Sequence, residues 1–174
     1  MKKLAIIMAV LMLAVTVLAS CSSEPSDIPD GMRRITSEAL GCNLHVPEDW
    51  TESSFTTNAV GAYCSNSDPT NVTVMAWNVD ATETLDSWWA KYREDFDLVF
   101  DEFKLESTDN TTLGGVAAVR YTYTAKLGDI EYSYVQCACL HWGMVYVMTF
   151  TSIPEYSGSH EEEYSDIIGY FEFL

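Results

Sequence analysis

Five cysteines are the residues of this chain with the widest range of possible chemistry. Cys21 follows a long apolar run, and the other four are Cys42, Cys64, Cys137 and Cys139. A thiol or thiolate can carry a lipid, close a disulfide, bind a metal ion or attack a substrate. Which of these each cysteine does depends on the elements that position it.

The first twenty residues have the three-part layout of an export signal. Lys2 and Lys3 form a basic start, residues 4–18 form an apolar stretch, and Ala19 and Ser20 are small. The apolar stretch is at the short end of the ~17–25 residues that a membrane-spanning helix needs. A cleaved leader is therefore predicted, with an uncleaved membrane anchor as the alternative.

The motif Leu18-Ala19-Ser20-Cys21 resembles the lipobox of bacterial lipoproteins. In that family the cysteine thiol takes a diacylglycerol, and cleavage leaves the cysteine as the first residue. The resemblance implies lipidation of Cys21 with diacylglycerol and fatty acids such as palmitate, which together anchor a chain effectively permanently. It places the protein on the extracytoplasmic face of the cell membrane, and ordinary secretion is the alternative.

The chain divides into a signal peptide (1–20), a lipid anchor with a flexible tether (21–34) and one globular domain (35–174). Pro25 and Pro29, among polar residues, are typical of a linker. Removal of the signal leaves 154 residues, enough for one domain with its own core.

Acidic residues dominate the charge, and the formal net charge is −17. Cleavage takes away Lys2 and Lys3, which leaves 7 basic against 26 acidic side chains and a charge of −19. Nucleic-acid binding needs a basic surface, so it is excluded. The same charge repels anionic headgroups, and the predicted contact with the lipid bilayer is through acylated Cys21.

Hydrophobic periodicity predicts six strands and two helices. The strands are 40–46, 59–64, 71–79, 115–125, 129–142 and 144–152. A helical stripe over 81–96, with Thr82 or Thr84 as its cap, predicts the first helix. Residues 158–169 form the second, and the terminal FEFL is predicted as a short edge strand.

The later strands are apolar on both faces near their centres, so both faces of the sheet must be covered. Helices are the natural cover, and the turns at Leu127-Gly128-Asp129 and Gly143 favour antiparallel hairpins. The predicted fold class is α+β. It is a mostly antiparallel sheet of about six strands with helices packed on both faces, an α/β/α sandwich.

The order of these motifs resembles the PsbP/Mog1-like superfamily. The residues that carry the resemblance are GCNLHVPEDW (41–50), the helix with two adjacent tryptophans, GGVAAVRYTYT (114–124), MVYVMTFTS (144–152) and the terminal helix before FEF. The resemblance covers residues 35–173. It implies an α/β/α sandwich that works as a binding or accessory module rather than an enzyme, and it transfers no binding residue.

Two of the remaining cysteines are candidates for a disulfide. If 40–46 and 59–65 pair as a hairpin, Cys42 lies opposite Cys64, and export would permit the bond. Cys137 and Cys139 share one strand face with Cα atoms ~6.5–7 Å apart, at the edge of disulfide geometry, so free buried thiols are predicted there. Their Cys-x-Cys spacing fits a zinc site poorly, and no metal site is predicted.

No catalytic constellation is recognisable. The chain has no Gly-x-Ser-x-Gly elbow, His45 is predicted on a solvent-facing strand position, and His160 near a helix start. The acidic run over 94–102 lacks the spacing of a calcium loop and is predicted as a solvated helix end and loop. Gly114-Gly115 marks a turn.

The predicted function is therefore a membrane-tethered, non-catalytic binding or accessory module with no cofactor. Its predicted partners are the bilayer and an unknown envelope protein or glycan. A cation or small-ligand sensor, and a surface hydrolase with an unrecognised site, are the alternatives.

Overall fold

The computed structural model describes residues 28–54 and 58–174. The predicted signal peptide 1–20 and the predicted lipidation site Cys21 lie outside the described residues. Within those two described ranges, no helix is both long and apolar enough to cross a membrane.

Strands dominate the described part of the chain. The strands are β1 (Met32–Ser37), β2 (Cys42–Pro47), β3 (Thr51–Glu52), β4 (Ala59–Tyr63), β5 (Asn71–Asn78), β6 (Asp101–Leu113), β7 (Val116–Leu127), β8 (Ile130–His141), β9 (Met144–Ser152) and β10 (Glu172–Phe173). The helices are α1 (Leu85–Glu94), α2 (Phe96–Val99), α3 (Pro154–Ser157) and α4 (Glu161–Gly169), with a 3₁₀ turn at Gly158–His160.

These strands form two sheets. The large sheet has seven strands in the order β3-β4-β5-β9-β8-β7-β6, and the small sheet has three in the order β1-β2-β10. Every recorded pairing is antiparallel. Tight turns at Gly128 and Gly143, with φ of 62° and 74°, join β7 to β8 and β8 to β9. The prediction of a mostly antiparallel sheet is confirmed.

Helix α1 covers the first face of the large sheet. Thr84 caps it, since the Thr84 side chain accepts from the Ser87 N–H while the Thr84 N–H donates to Ser87 Oγ. Its aromatic stripe faces the sheet: Trp88 is only 5% exposed, and Trp89 stacks on Tyr121 with centroids 3.7 Å apart. The adjacent tryptophans therefore form the predicted core stripe.

Helix α4 and the small sheet share the second face. Ile167 of α4 packs with Leu44 and Val46 of β2, and all three are fully buried. Strand β10 follows α4 directly and pairs with β2, which ties the helix to the small sheet. Helices thus lie on both faces, but the predicted α/β/α sandwich is only partly matched because a second sheet takes part of one layer.

The structure has more strands than the six predicted. Strand β6 has 13 residues that are almost all exposed, so it shows no apolar alternation from which to predict it. Asp101 and Glu102, predicted in a loop, belong to β6. Strand β1 begins at Met32, inside the segment 21–34 predicted as a tether.

The turn between β6 and β7 is a point of close contact. Gly114 and Gly115 have φ of 56° and 76°, as a two-residue hairpin turn of the primed type requires. A Cβ on Gly114 would lie 2.7 Å from the Phe173 ring of β10, whereas a Cβ on Gly115 would have no neighbour within 4 Å.

We expect Gly114→Ala to lower the free energy of unfolding more than Gly115→Ala does. Both variants carry the strain of a left-handed residue, about 1–2 kcal/mol. Only Gly114→Ala must also displace Phe173, which adds on the order of 1–3 kcal/mol. Denaturant unfolding of the two variants measures the difference, and equal losses would contradict the role given to the contact with β10.

Candidate functional site

The loop between β4 and β5 folds back on itself and presents two polar side chains together. Cys64 N–H donates to the Thr70 carbonyl at 2.8 Å, and Ser65 N–H donates to the Asp68 carbonyl at 3.1 Å. Asp68 Oδ1 in turn accepts from the Thr70 N–H at 2.9 Å. These bonds fix Cys64 and the Asp68 carboxylate on a closed loop at one end of the large sheet.

His160 stands opposite this loop, at the end of the 3₁₀ turn before α4. Its Nε2 lies 2.8 Å from Asp68 Oδ2, and its Nδ1 is hydrogen-bonded to Glu163, one turn further along α4. The ring is 7% exposed and packs edge-on against Trp50, with centroids 6.0 Å apart. We call Cys64, Asp68, His160 and Glu163 the histidine cluster.

Charge holds the histidine cluster together. Burial alone would lower the pKa of His160, but its hydrogen bonds to Glu163 and Asp68 outweigh burial, and the pKa is raised. Burial would raise the pKa of the Asp68 carboxyl, but bonds from Thr70 and His160 lower it overall. With a carboxylate at each ring nitrogen, the histidine cluster favours the charged imidazolium form of His160.

Cys64 completes the histidine cluster. The Cys64 sulfur, an Asp68 carboxylate oxygen and a His160 ring nitrogen all lie within 4.8 Å of one another. Burial raises the pKa of the Cys64 thiol, and the carboxylates of Asp68, Glu163 and Asp49 raise it further. Both His160 nitrogens are already bonded to carboxylates, so the ring has no free nitrogen to take the thiol proton. This arrangement does not favour a thiolate nucleophile.

A cleft runs beside α4 on the second face of the sheet. It has a volume of about 610 Å³ between α4 and strands β6, β7 and β8. Its lining includes Thr111, Thr112, Arg120, Thr122, Glu161 and Tyr164. We call it the helix cleft. A cavity of about 240 Å³ shares Thr122, Glu161 and Tyr164 with it and reaches His160, so the helix cleft leads towards the histidine cluster.

The floor of the helix cleft is polar although the sheet beside it is apolar. Arg120 Nη2 donates to Asp109 Oδ2 at 3.2 Å across β7 and β6. The bond from Ser107 and then the bond from Arg120 lower the pKa of Asp109, so the carboxylate stays charged. Burial raises the pKa of Tyr164 far above its usual range, so its hydroxyl stays neutral. The floor therefore offers hydroxyl groups and the guanidinium of Arg120, which is paired with Asp109 beside the cleft, as hydrogen-bonding partners.

The structure separates the two cysteines predicted to form a disulfide. Cys42 lies in the small sheet, opposite Ser37 and Phe173, whereas Cys64 follows β4 of the large sheet. The predicted pairing of 40–46 with 59–65 is wrong because β2 pairs with β1 and β10 instead. Both cysteines are free thiols in the structure.

Cys137, Cys139 and His45 are all buried. The first two are free thiols, as the sequence predicts. His45 is 1% exposed, so its predicted solvent-facing position is wrong. The end of α4 covers it, and its Nδ1 lies 2.6 Å from the Tyr170 carbonyl oxygen.

Sequence reasoning missed the histidine cluster. The pair His160 and Glu163 has helical i,i+3 spacing, which places the two side chains together on one face. Asp68 is 92 residues from His160, and no local pattern connects them. Only the tertiary fold brings the β4–β5 loop to the start of α4.

Comparisons by sequence find no matching family model and no matching curated protein. Solved structures match over most of the chain. PsbP (CyanoP) from Synechocystis sp. PCC 6803 is 12% identical with a TM-score of 0.64, over 90% of this chain and 99% of that one. This chain has a PsbP-like fold.

Two further structures share the PsbP-like fold. LpqN, described as involved in cell envelope biogenesis of Mycobacterium tuberculosis, is 14% identical with a TM-score of 0.59, over 82% of this chain and 90% of that one. PA94 from Pseudomonas aeruginosa, of unknown function, is 18% identical with a TM-score of 0.55, over 78% and 92%. At such identities the PsbP-like fold is what is shared, and function depends on each protein's own site.

We expect His160→Gln to destabilise the protein most at mildly acidic pH. Because the pKa of His160 is raised, its positive charge stabilises the fold fully below pH 6.5, the ordinary pKa of histidine. That stabilisation is lost as the pH rises through the raised pKa. Because the pKa of Asp68 is lowered, its carboxylate stabilises the fold fully above pH 3.8, the ordinary pKa of the group. That stabilisation is lost only as the pH falls through the lowered pKa. The free energy of unfolding of His160→Gln should be lower than that of the parent by on the order of 1–3 kcal/mol near pH 5–6, and by less near pH 9. We call this difference the deficit.

Denaturant unfolding of the parent protein and of His160→Gln across this pH range, with a chelator present, measures the deficit. Asp109→Asn is the matched control, because the lowered pKa of Asp109 leaves its carboxylate ionised throughout this range. Its deficit should be constant from about pH 6 to about pH 9. A His160→Gln deficit that is equally constant would show that His160 acts by packing alone.

Proposed function

We propose that this protein is a lipid-anchored, non-catalytic accessory module of the cell envelope that holds an extended, basic segment of a partner protein. The observation that carries the proposal is the helix cleft, which lies beside the free edge of β6. The PsbP-like fold, and the envelope role described for LpqN, fit an accessory module. The lipobox at Cys21 supports the anchor.

The edge of β6 supplies a backbone surface. In the described part of the chain, no strand pairs with its outer side. Register shifts interrupt its pairing with β7 before Ser107, but pairing is continuous from Ser107 to Leu113. Bulges and charges commonly protect a sheet edge, and this second half of β6 has no bulge. An extended segment can add to such an edge through main-chain hydrogen bonds.

Charge indicates which kind of segment would bind. Arg120 is neutralised by Asp109, while Glu161 lines the helix cleft and Glu106 lines the adjoining cavity. The site is therefore acidic overall, like the whole chain. Electrostatic complementarity favours a segment that carries lysine or arginine.

A non-catalytic role is supported by the histidine cluster itself. Its imidazole is tied on both sides by carboxylates, and burial and nearby carboxylates raise the pKa of its thiol. A general base needs a free nitrogen within reach of the proton that it takes, and a nucleophilic cysteine needs a lowered pKa. Neither condition is met there.

Lipidation is tested by growing cells with an alkyne-labelled fatty acid. We expect the parent protein to take up label and to lose residues 1–20, because the lipobox places Cys21 at the cut. Cys21→Ser should lose the label and keep the leader, whereas Cys64→Ser should be labelled like the parent. Intact-mass measurement of the purified proteins checks both points, and an unacylated parent would overturn the anchor.

Partner binding is tested by a photoreactive amino acid at Thr111, a partly exposed residue that lines the helix cleft and lies opposite Ala118 on the second face of the sheet. We expect illumination of intact cells to give one protein adduct, because an extended segment on β6 would lie against this position. The matched control is Met75, which is 47% exposed and shares the first face with Trp77. It should give no such adduct.

Protease and glycosidase treatment of the Thr111 adduct identifies its chemistry. A protease-sensitive adduct, carrying basic residues at the cross-linked site, supports the proposal. An adduct removed by glycosidase would replace the protein partner with a glycan. The same adduct from Met75, or none from Thr111, would overturn the helix cleft as the binding site.

A further inference from the structure

The histidine cluster brings three kinds of metal-binding atom to one point. The sulfur of Cys64, a carboxylate oxygen of Asp68 and a ring nitrogen of His160 are within 4.8 Å of one another. They come from two separate elements, the β4–β5 loop and the start of α4. The proposed partner segment uses none of these three side chains, so the arrangement has no role in that function.

We propose that Cys64, Asp68 and His160 bind a Zn²⁺-class ion, with Glu163 as a positioning residue. Thiolate, imidazole and carboxylate are all established zinc ligands. Three protein ligands would leave a fourth position for water or for a group of a partner. Thiolate and imidazole select zinc over calcium or magnesium, which prefer an all-oxygen site.

Glu163 has the place of an outer-shell partner. It is hydrogen-bonded to His160 Nδ1, which leaves Nε2 facing Asp68. A ligating histidine usually donates its other ring N–H to a carboxylate or carbonyl, and this fixes the tautomer and the ring orientation. The edge-on contact with Trp50 further restricts the ring. The bond to Glu163 and the contact with Trp50 therefore already orient the His160 ring without a metal ion.

The distances require only a small rearrangement of the three side chains. Zinc bonds of about 2.0–2.3 Å place tetrahedral ligand atoms roughly 3.3–3.8 Å apart. The three ligand atoms lie within 4.8 Å of one another, so the Cys64 sulfur has little distance to cover. His160 Nε2 and Asp68 Oδ2 are 2.8 Å apart and would separate slightly to admit the ion between them. Binding releases the proton of the Cys64 thiol and the proton that the imidazolium carries on Nε2.

Cys64 distinguishes this proposal from a purely structural cluster. The charge bridge of His160 with Asp68 and Glu163 does not involve the thiol. A metal site of this composition needs the thiol, because sulfur is one of only three protein ligands. Cys64→Ser therefore removes metal binding while it leaves the bridge in place.

The test is titration of the reduced, full-length protein in detergent with Co²⁺ as a spectroscopic probe for Zn²⁺. We expect one Co²⁺ per chain, a thiolate-to-cobalt charge-transfer band, intense visible bands of tetrahedral cobalt, and displacement by Zn²⁺. Cys64→Ser should lose the charge-transfer band. Cys137→Ser, which removes a buried thiol elsewhere on the large sheet, should keep it.

Glu163→Gln tests the positioning role in the same titration. We expect a 10- to 100-fold weaker affinity for Zn²⁺ with the charge-transfer band retained, as for loss of an outer-shell partner. Thermal unfolding without metal verifies that each variant is folded. No charge-transfer band in the parent, or an unchanged band in Cys64→Ser, would overturn the metal site. Neither result would alter the cross-linking expected at Thr111, so the two proposals fail separately.

Discussion

The fold depends on burying both faces of β8 and β9, two neighbouring strands near the middle of the large sheet. Along β9, Val145 and Val147 pack under α1, while Tyr146 and Met148 pack towards α4 and the small sheet, and all four are nearly inaccessible. Each such side chain contributes about 1.5–3 kcal/mol when it leaves water. One layer of cover would leave half of them exposed. The chain therefore needs elements on both sides, and it places β1, β2, α4 and β10 together on the second one.

The layer on the second face ends before the sheet does. Helix α4 has nine residues and leaves the face of β6 and β7 beside it uncovered, where the side chains change from apolar to polar. Leu113 at the turn is fully buried, whereas Asp109 and Arg120 form an accessible ion pair. The helix cleft is thus a consequence of a short cover on a long hairpin, and the polar floor is what makes such an uncovered face soluble. The same property supports the proposed binding, since hydrogen-bonding groups remain available there.

Periodicity predicted the central strands and α1 well because burial imposes a pattern on them. Periodicity fails for strands that do not have one buried face and one exposed face. Strand β6 is an exposed edge with no apolar face. Strand β2 is buried on both faces, so alternation wrongly predicts a solvent-facing position for His45, which the end of α4 covers. The Cys42–Cys64 pairing requires that β2 and β4 form a hairpin, but β3 lies between them in sequence, and the partners of β4 are β3 and β5. The histidine cluster joins residues 92 positions apart, which only the finished fold specifies.

The histidine cluster and the helix cleft meet at the first turn of α4. His160 and Glu163 belong to the cluster, while Glu161, between them, lines the helix cleft. Three glutamates in this first turn suit the positive end of a helix, but Asp68 adds a fourth negative charge nearby. A cation at the centre, either the imidazolium or a bound metal ion, relieves that repulsion and ties α4 to the β4–β5 loop. The same turn supplies one wall of the helix cleft, so the cluster and the cleft share one structural element.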